Sequence, residues 1–305
     1  MDSKLMRAVV VKDREAGAGG ISLAELPHPQ AAENDVVVQV HAAGFLKSEP
    51  EWPSTWTDRA GRDRTPSVLG HEVSGVVVEL GYGTTGLTIG QRVFGLTDWA
   101  RNGSLAEYAA VEARNLAPLH AEIDHVAAAA VVMPGLTAWQ ALFDHGRLQA
   151  GQTVLVHGAG GSVGSVAVQL AHEAGAHVIA TGRKTDRDLA ASQGAQDFVD
   201  LDNDRLEDAG PVDVVFDVIG GEVLNRSVAV LRPGGTLVTV AEPPTVQPSD
   251  GRAIFFVVEP DRAQLTELAT RLRDGRLVPL VTTVRPLADA PAAFTERGRS
   301  VITVA

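Results

Sequence analysis

Cysteine is absent from all 305 residues. That absence excludes disulfide bridges, thiolate-held zinc and a cysteine nucleophile. It also fits a reducing compartment. Long apolar runs are lacking too: the longest, Val126 to Met133, is far too short to cross a bilayer. The first residues, MDSKLMRAVVVKDREAG, hold only a short apolar patch (Ala8 to Val11) before charges return, so neither a signal peptide nor a membrane span is expected there, and the expected setting is cytoplasmic. Basic residues are outnumbered, 26 against 38, for a net charge of −12, and no long basic run occurs. Nucleic acid and anionic membranes are poor partners for such a chain. No long-period repeat or low-complexity tract is present, and a GxSxG nucleophile motif is absent apart from accidental fragments.

What is present divides into two textures. With 45% apolar residues the length favours two domains. The first ~120 residues read as short strands broken by Gly and Pro, a mostly-β, barrel-like pattern. Examples are MRAVVV, DVVVQVHA, SGVVVEL, QRVFGL and LAEYAAV; residues 50–66 are irregular. From Thr153 onward, apolar runs at 153–157, 177–181, 197–201, 212–218 and 236–240 alternate with amphipathic segments. Nearly continuous apolar strands are expected in a parallel sheet covered on both faces, so this half predicts a doubly wound α/β sheet. Val163, Val166, Ala167, Leu170, Ala171 and Ala174 form one helical stripe. A further strand is expected at 253–258, a helix at about 261–274 with Leu265, Leu268 and Leu272 inward and Gly275 as its stop, and a last short strand, VITVA.

The densest local signal is VLVHGAGGSVGSVAVQLA, residues 154–171. Gly158, Gly161 and Gly164 stand three apart with Gly160 between them, and Ala159, Ser162 and Val163 fill the loop. Glycine permits positive φ and close backbone approach. A strand running into such a loop, with a helix starting at once, aims free N–H groups at an anion, usually a dinucleotide diphosphate. The second strand then ends Ala180, Thr181, Gly182, Arg183, Lys184. An acid at that end would bond the adenosine ribose and mark NAD; here glycine and two cations stand instead. Arg183 by its planar fork and Lys184 as a point charge suit a 2′-phosphate, so NADPH is the expected cofactor. The plainer reading is a pair of solvated helix-start charges.

The order of parts resembles the medium-chain dehydrogenase/reductase superfamily, in its zinc-independent quinone oxidoreductase branch. The residues that carry the resemblance are MRAVVV, VLGHEVSG (68–75), GSLAEYAAV (103–111), AAAAVVMPGLTAWQAL (127–142), the glycine loop, LRPGGTLVTV (231–240) and IFFVVEPDRAQLTELATRLRDGRLVP (254–279). The resemblance implies a GroES-like substrate domain built from residues 1–120 and 259–305, a Rossmann-type NADP-binding domain at 121–258, and an active site in the cleft between them. It implies a homodimer through strand 253–258, which would also remove an exposed sheet edge.

In zinc-dependent relatives the GHE stretch supplies a histidine ligand and a neighbouring glutamate. Here His71 and Glu72 stand in that place, Leu46 takes the position of one cysteine ligand and Met133-Pro134 lies near the other, so no metal is expected. His71 keeps two readings, a cleft residue that touches substrate or a satisfied core histidine. Many zinc-free relatives carry an asparagine near Leu46, which this chain lacks, and Leu201 replaces a tyrosine common on the adenosine side. Without a metal to polarise a simple alcohol or aldehyde, the resemblance points to a self-activated acceptor, a quinone or an α,β-unsaturated carbonyl. It also implies that Thr137 meets the nicotinamide end, where the plainer reading is a helix threonine bonding its own backbone, and that Phe255, Phe256 and Val257 approach the carboxamide, though they could equally be plain core strand; Val218, Ile219 and Ala241, at strand C-termini, are expected to line the cofactor. Phe45, Leu46, Trp52, Trp56, Trp99 and Met133 are candidates for an apolar pocket wall, with core packing the plainer reading of each. His41, His157 and His177 are expected to be structural, and Asp213 and Asp217 to bond loop backbone. Two other readings stay open: an enoyl-thioester reductase, and an NADPH-binding protein without catalysis.

Overall fold

The computed structural model describes residues 4–304. Contacts divide them into two compact units.

The first unit takes the residues up to Val132, Pro260–Gly275 and those from Val281 on. Its main sheet has seven strands, in the order Thr283–Pro286, Ser300–Thr303, Asp35–Gly44, Glu72–Leu80, Arg92–Leu96 and Leu116–Pro118, with Tyr108–Glu112 also paired to Asp35–Gly44. All of these pairs are antiparallel except Thr283–Pro286 with Ser300–Thr303. A three-stranded sheet, Ile21–Pro27, Leu5–Val11 and Ser67–Val68, completes the β layer. The C-terminal strand pairs with the middle of the main sheet, Ile302 opposite Ala43. Of VITVA, Ala305 lies outside the described residues. The core is packed with β-branched residues, among them Val9, Val36, Val38, Val73 and Val93, as suits half-buried pleated strands.

The second unit takes Met133–Glu259 and Arg276–Leu280. It is a six-stranded sheet in the order Asp197–Asp200, His177–Gly182, Thr153–Val156, Val212–Asp217, Leu231–Thr239, Gly251–Phe255, and every pairing is parallel. Numbered by sequence, that order is the doubly wound arrangement in which ligands sit beyond the strand C-termini. Helix Ser162–Glu173 buries Val166, Ala167, Leu170 and Ala171, most of the stripe the sequence lays out. Within the first unit, helix Arg262–Arg273 starts on Asp261, whose carboxylate accepts the Gln264 N–H at 2.9 Å, and buries Leu265 and Leu268.

Two expectations shift. The edge strand runs Gly251–Phe255 rather than 253–258, because its partner strand ends at Thr239 and leaves the later residues no ladder to join. The division between the compact units falls after Val132 rather than at 121, and Glu259 and Arg276–Leu280 group with the second unit rather than with the C-terminal part of the first. Ala129 and Ala130, on helix His125–Trp139, pack with Ala42 and Val301 of the first unit, which holds the start of that helix there. The helical stretch His125–His145 is long and apolar enough to cross a membrane by length and composition, but 78% of its most apolar window is buried in the fold.

Candidate active site and cofactor loop

The glycine loop grows directly from strand Thr153–Val156. Gly158 has φ of +69°, which glycine adopts without penalty, and a Cβ there would come within 2.7 Å of the Val218 side chain. Gly164 is glycine for a different reason. A Cβ on it would lie 2.2 Å from the Gly158 carbonyl oxygen, so the helix can approach the strand only without a side chain. Helix Ser162–Glu173 begins at Gly161 with no side-chain cap. Its first-turn N–H groups, from Ser162, Val163 and Gly164, have no intrahelical acceptor by geometry, and the helix dipole adds positive potential there. That is a cradle for an anion.

Neighbouring strand ends close around the loop. The Ala159 N–H donates to the Thr181 carbonyl at 3.0 Å. His157, fully buried, has Nδ1 2.8 Å from the Thr181 hydroxyl and Nε2 2.8 Å from the Ser227 hydroxyl. Burial pushes its pKa down to about 3, so a neutral imidazole ties the strands together. Asp217, also raised by burial, accepts N–H bonds from Ile219 and Gly220 and the Thr239 hydroxyl, and so fixes the turn that carries Val218 and Ile219. Ala241 anchors its N–H on the Thr239 hydroxyl at 3.1 Å. Gly158, Val218, Ile219 and Ala241 thus converge at the strand C-termini, with Ile219 44% exposed. Phe255 ends the edge strand 39% exposed and Val257 stands 61% exposed, whereas Phe256 turns inward, its ring 4.5 Å from that of His145. Thr137 and Met133 are buried in helix His125–Trp139. Arg183 and Lys184 are exposed and form no ion pair among the described residues.

In the first unit His71 follows Gly70, whose φ of +82° turns the chain sharply after strand Ser67–Val68. Its Nδ1 lies 2.8 Å from the Thr97 hydroxyl. Its ring stacks 6.0 Å from Trp52 and meets Trp99 edge-on at 5.0 Å, and the two indoles cross at 5.3 Å. Both tryptophans are half-buried. Burial, reinforced by Arg64 and opposed by Asp98, pushes the His71 pKa down to about 3, so it is a neutral imidazole walled by aromatics.

A buried polar frame lies beneath. The Glu49 carboxylate accepts the Leu46 N–H at 2.9 Å and the Gly70 N–H at 2.6 Å. Desolvation raises its pKa to about 8, against the pull of those two amides. Glu72 pairs with the buried Arg299, which also donates to the Phe45 carbonyl at 2.9 Å. Leu46, half-buried, is therefore positioned through its backbone.

Trp56 is packed into the core with its indole N–H on the Pro50 carbonyl at 2.8 Å, and the Phe45 ring packs 4.3 Å from Phe294. Zinc does not fit the residues at this place. The His71 Nδ1 is engaged by Thr97, Glu72 by Arg299, cysteine is absent, and no cluster of three metal-ligating residues occurs among the described residues. Sequence reasoning missed Thr97, Glu49, Arg299 and Asp186. Only the last had a local signal: an acid three residues after Arg183, at a helix start, is a capping pattern.

Comparison with known proteins agrees with this geometry. Residues 32–121 match the family model described as the alcohol dehydrogenase GroES-like domain, and residues 162–259 match that described as zinc-binding dehydrogenase. The chain is 34% identical, over 92% of its length, to the spectinabilin polyketide synthase system protein NorB of Streptomyces orinoci, but spans only 14% of that protein. It is 32% identical to the chloroplastic NADPH-dependent alkenal/one oxidoreductase of Arabidopsis thaliana, covering 91% of this chain and 72% of that one. Among solved structures, the quinone oxidoreductase from Coxiella burnetii superposes with a TM-score of 0.89 at 25% identity, over 99% of this chain and 100% of that one.

Proposed function

The chain belongs to the medium-chain dehydrogenase/reductase superfamily, in its quinone oxidoreductase branch, and from that membership we propose a zinc-independent, NADPH-dependent oxidoreductase that reduces a quinone or an α,β-unsaturated carbonyl. The observation that carries the reading is the uncapped helix start behind Gly158–Gly164, with Arg183 and Lys184, exposed and in no ion pair among the described residues, after the neighbouring strand His177–Gly182. Those residues fit a phosphorylated dinucleotide: the loop N–H groups would hold the diphosphate, and the two cations would meet a 2′-phosphate. The bound nicotinamide would supply hydride.

The protein's own part is orientation, and a well-aligned pair of reactants can lower a barrier by as much as ~7–11 kcal/mol. Val218, Ile219, Ala241 and Thr137 would steer the nicotinamide end, with Phe255, Phe256 and Val257 toward the carboxamide. Trp52 and Trp99 offer aromatic faces to a flat acceptor, with Leu46 as apolar wall. Charge developing on the acceptor oxygen needs a donor, and neutral His71 can give one N–H bond without changing its charge. We place the protein in the cytoplasm, as the cysteine-free sequence favours, and assemble it as a homodimer on the open edge strand Gly251–Phe255. Sedimentation showing only monomers would remove that assembly.

The test follows NADPH and NADH absorbance in parallel with a benzoquinone and then an enone, after chelator treatment. Acceptor-dependent loss of NADPH, slower loss of NADH and indifference to chelator are expected. NADPH binding without turnover of any acceptor would leave a silent cofactor-binding protein. A second reading, an enoyl-thioester reductase, keeps the same hydride chemistry on a thioester-activated double bond. Faster turnover of an enoyl thioester than of any quinone would select it.

A further inference from the structure

The second strand of the six-stranded sheet, His177–Gly182, ends without the acid that usually bonds the adenosine ribose. The fold returns one from elsewhere. Asp186, from the start of helix Arg187–Ser192, folds its carboxylate back onto this strand end. A Cβ built on Gly182 would lie 2.9 Å from Asp186 Oδ2, and one built on Gly160 would lie 2.4 Å from its carboxyl carbon. The carboxylate therefore occupies the space a side chain at Gly182 would enter, and it touches the phosphate loop at Gly160. It is held there by the Arg183 N–H, which donates to Oδ2 at 3.0 Å. The other oxygen, Oδ1, makes no hydrogen bond among the described residues, and the residue pairs with no cation there. A half-buried acceptor with a spare oxygen, fixed between the glycine loop and the second strand end, matches what a ribose hydroxyl needs.

We propose that Asp186 stands in for the missing strand-end acid: it accepts a hydrogen bond from the adenosine ribose of the dinucleotide and opposes a 2′-phosphate, so that it sets cofactor choice against Arg183 and Lys184. The inference rests on the dinucleotide reading above. It deepens that reading by making the preference a balance. The two exposed cations draw the phosphate, and a carboxylate one turn further on repels it and rewards the free hydroxyl. Gly160 and Gly182 then have a shared reason to lack side chains, since either Cβ would displace this carboxylate.

The experiment measures binding without turnover, by calorimetric titration of the full chain with NAD⁺ and NADP⁺. The proteins are the parent, D186N and the double variant Arg183→Ala/Lys184→Ala. Asparagine is as good a cap as aspartate, so D186N keeps an oxygen for the Arg183 N–H and the loop its shape. Equal melting temperatures of parent and D186N would verify this. The parent is expected to bind both cofactors within about tenfold, a difference of ~1.4 kcal/mol. D186N should weaken NAD⁺ and strengthen NADP⁺, together raising the NADP⁺ preference about tenfold, and the double variant should move it the other way. If D186N changes both affinities by one common factor, or neither, Asp186 is only a cap and the inference falls alone. If the parent binds neither dinucleotide, the inference falls together with the reading beneath it.

Discussion

His71 and Thr97 are joined twice: the imidazole Nδ1 lies 2.8 Å from the threonine hydroxyl, and the Thr97 N–H donates to the His71 carbonyl at 2.7 Å. The ring's orientation against Trp52 and Trp99 therefore depends on a residue on the neighbouring loop. Thr97→Val keeps the shape and removes the hydroxyl, leaving a buried ring nitrogen unpartnered at a cost of about 1–3 kcal/mol. Acceptor kcat/KM should fall while dinucleotide affinity holds, because the glycine loop belongs to the other unit. Thr97→Ser should restore most of the loss. Equal losses of both quantities in a kinetic and binding comparison would show that the hydroxyl matters only for folding.

Stability should depend on pH from two sides. His71 and His157 are each pushed from 6.5 to about 3 by burial. The unfolded chain then binds more protons, so stability is full above pH 6.5 and drains as pH falls toward the folded values, by roughly 2–5 kcal/mol per group. Glu49 works in reverse: raised from 4.5 to about 8, it contributes fully below pH 4.5 and loses that contribution as pH rises through 8. Melting temperature against pH should therefore pass through a maximum. Glu49→Gln should flatten the alkaline limb while lowering stability throughout by about 1–3 kcal/mol, since its amide has one oxygen and cannot accept from both N–H donors as the two carboxyl oxygens do. An unchanged alkaline limb would mean that Glu49 is ionised in the folded protein.

Arg299 is buried with Glu72 and carries the Phe45 carbonyl on its other nitrogen. Arg299→Ala should destabilise by about 3–5 kcal/mol, because it strands a buried carboxylate. Arg299→Met with Glu72→Leu should be much less damaging than Arg299→Ala alone. Denaturant unfolding of the single and double variants gives the comparison, and additive losses would argue that the two residues act independently.

The glycines of the phosphate loop are not equivalent. Gly164→Ala sets a methyl 2.2 Å from a backbone oxygen, whereas a Cβ on Gly161 finds its nearest atom at 3.3 Å with the backbone in an extended conformation. Gly164→Ala should weaken dinucleotide binding at least tenfold, ~1.4 kcal/mol or more, and lower the melting temperature. Gly161→Ala should shift the affinity only a few-fold. A titration of both variants with the same cofactor decides it.

How much of this was legible in the sequence follows from how local each feature is. The glycine loop, the helix behind it and the parallel strands are written in contiguous residues, and they stand where periodicity and glycine spacing put them. The packing of Trp56 was not legible, because it depends on a carbonyl at Pro50 and a core assembled from distant strands. Arg299 meets Glu72 across 227 residues of chain, and no pattern in either neighbourhood announces the pair. The edge strand was read too long because its length is set by the partner at Thr239 and not by its own apolar run. Asp186 falls between: its capping role was readable, but its place against Gly160 was a matter of folding.

The open edge of the parallel sheet carries one more implication. Gly251–Phe255 ends the ladder with its outer N–H and C=O groups unpaired by any other strand of the sheet. Such a row of dipoles reads only the main chain, and any extended segment of suitable length satisfies it alike. In the proposed homodimer, fidelity of pairing would come from beside it, where Phe255 and Val257 present apolar surface that a wrong partner would leave wet. Changes at those two side chains would then act on that pairing and leave the hydrogen-bonding edge as it was.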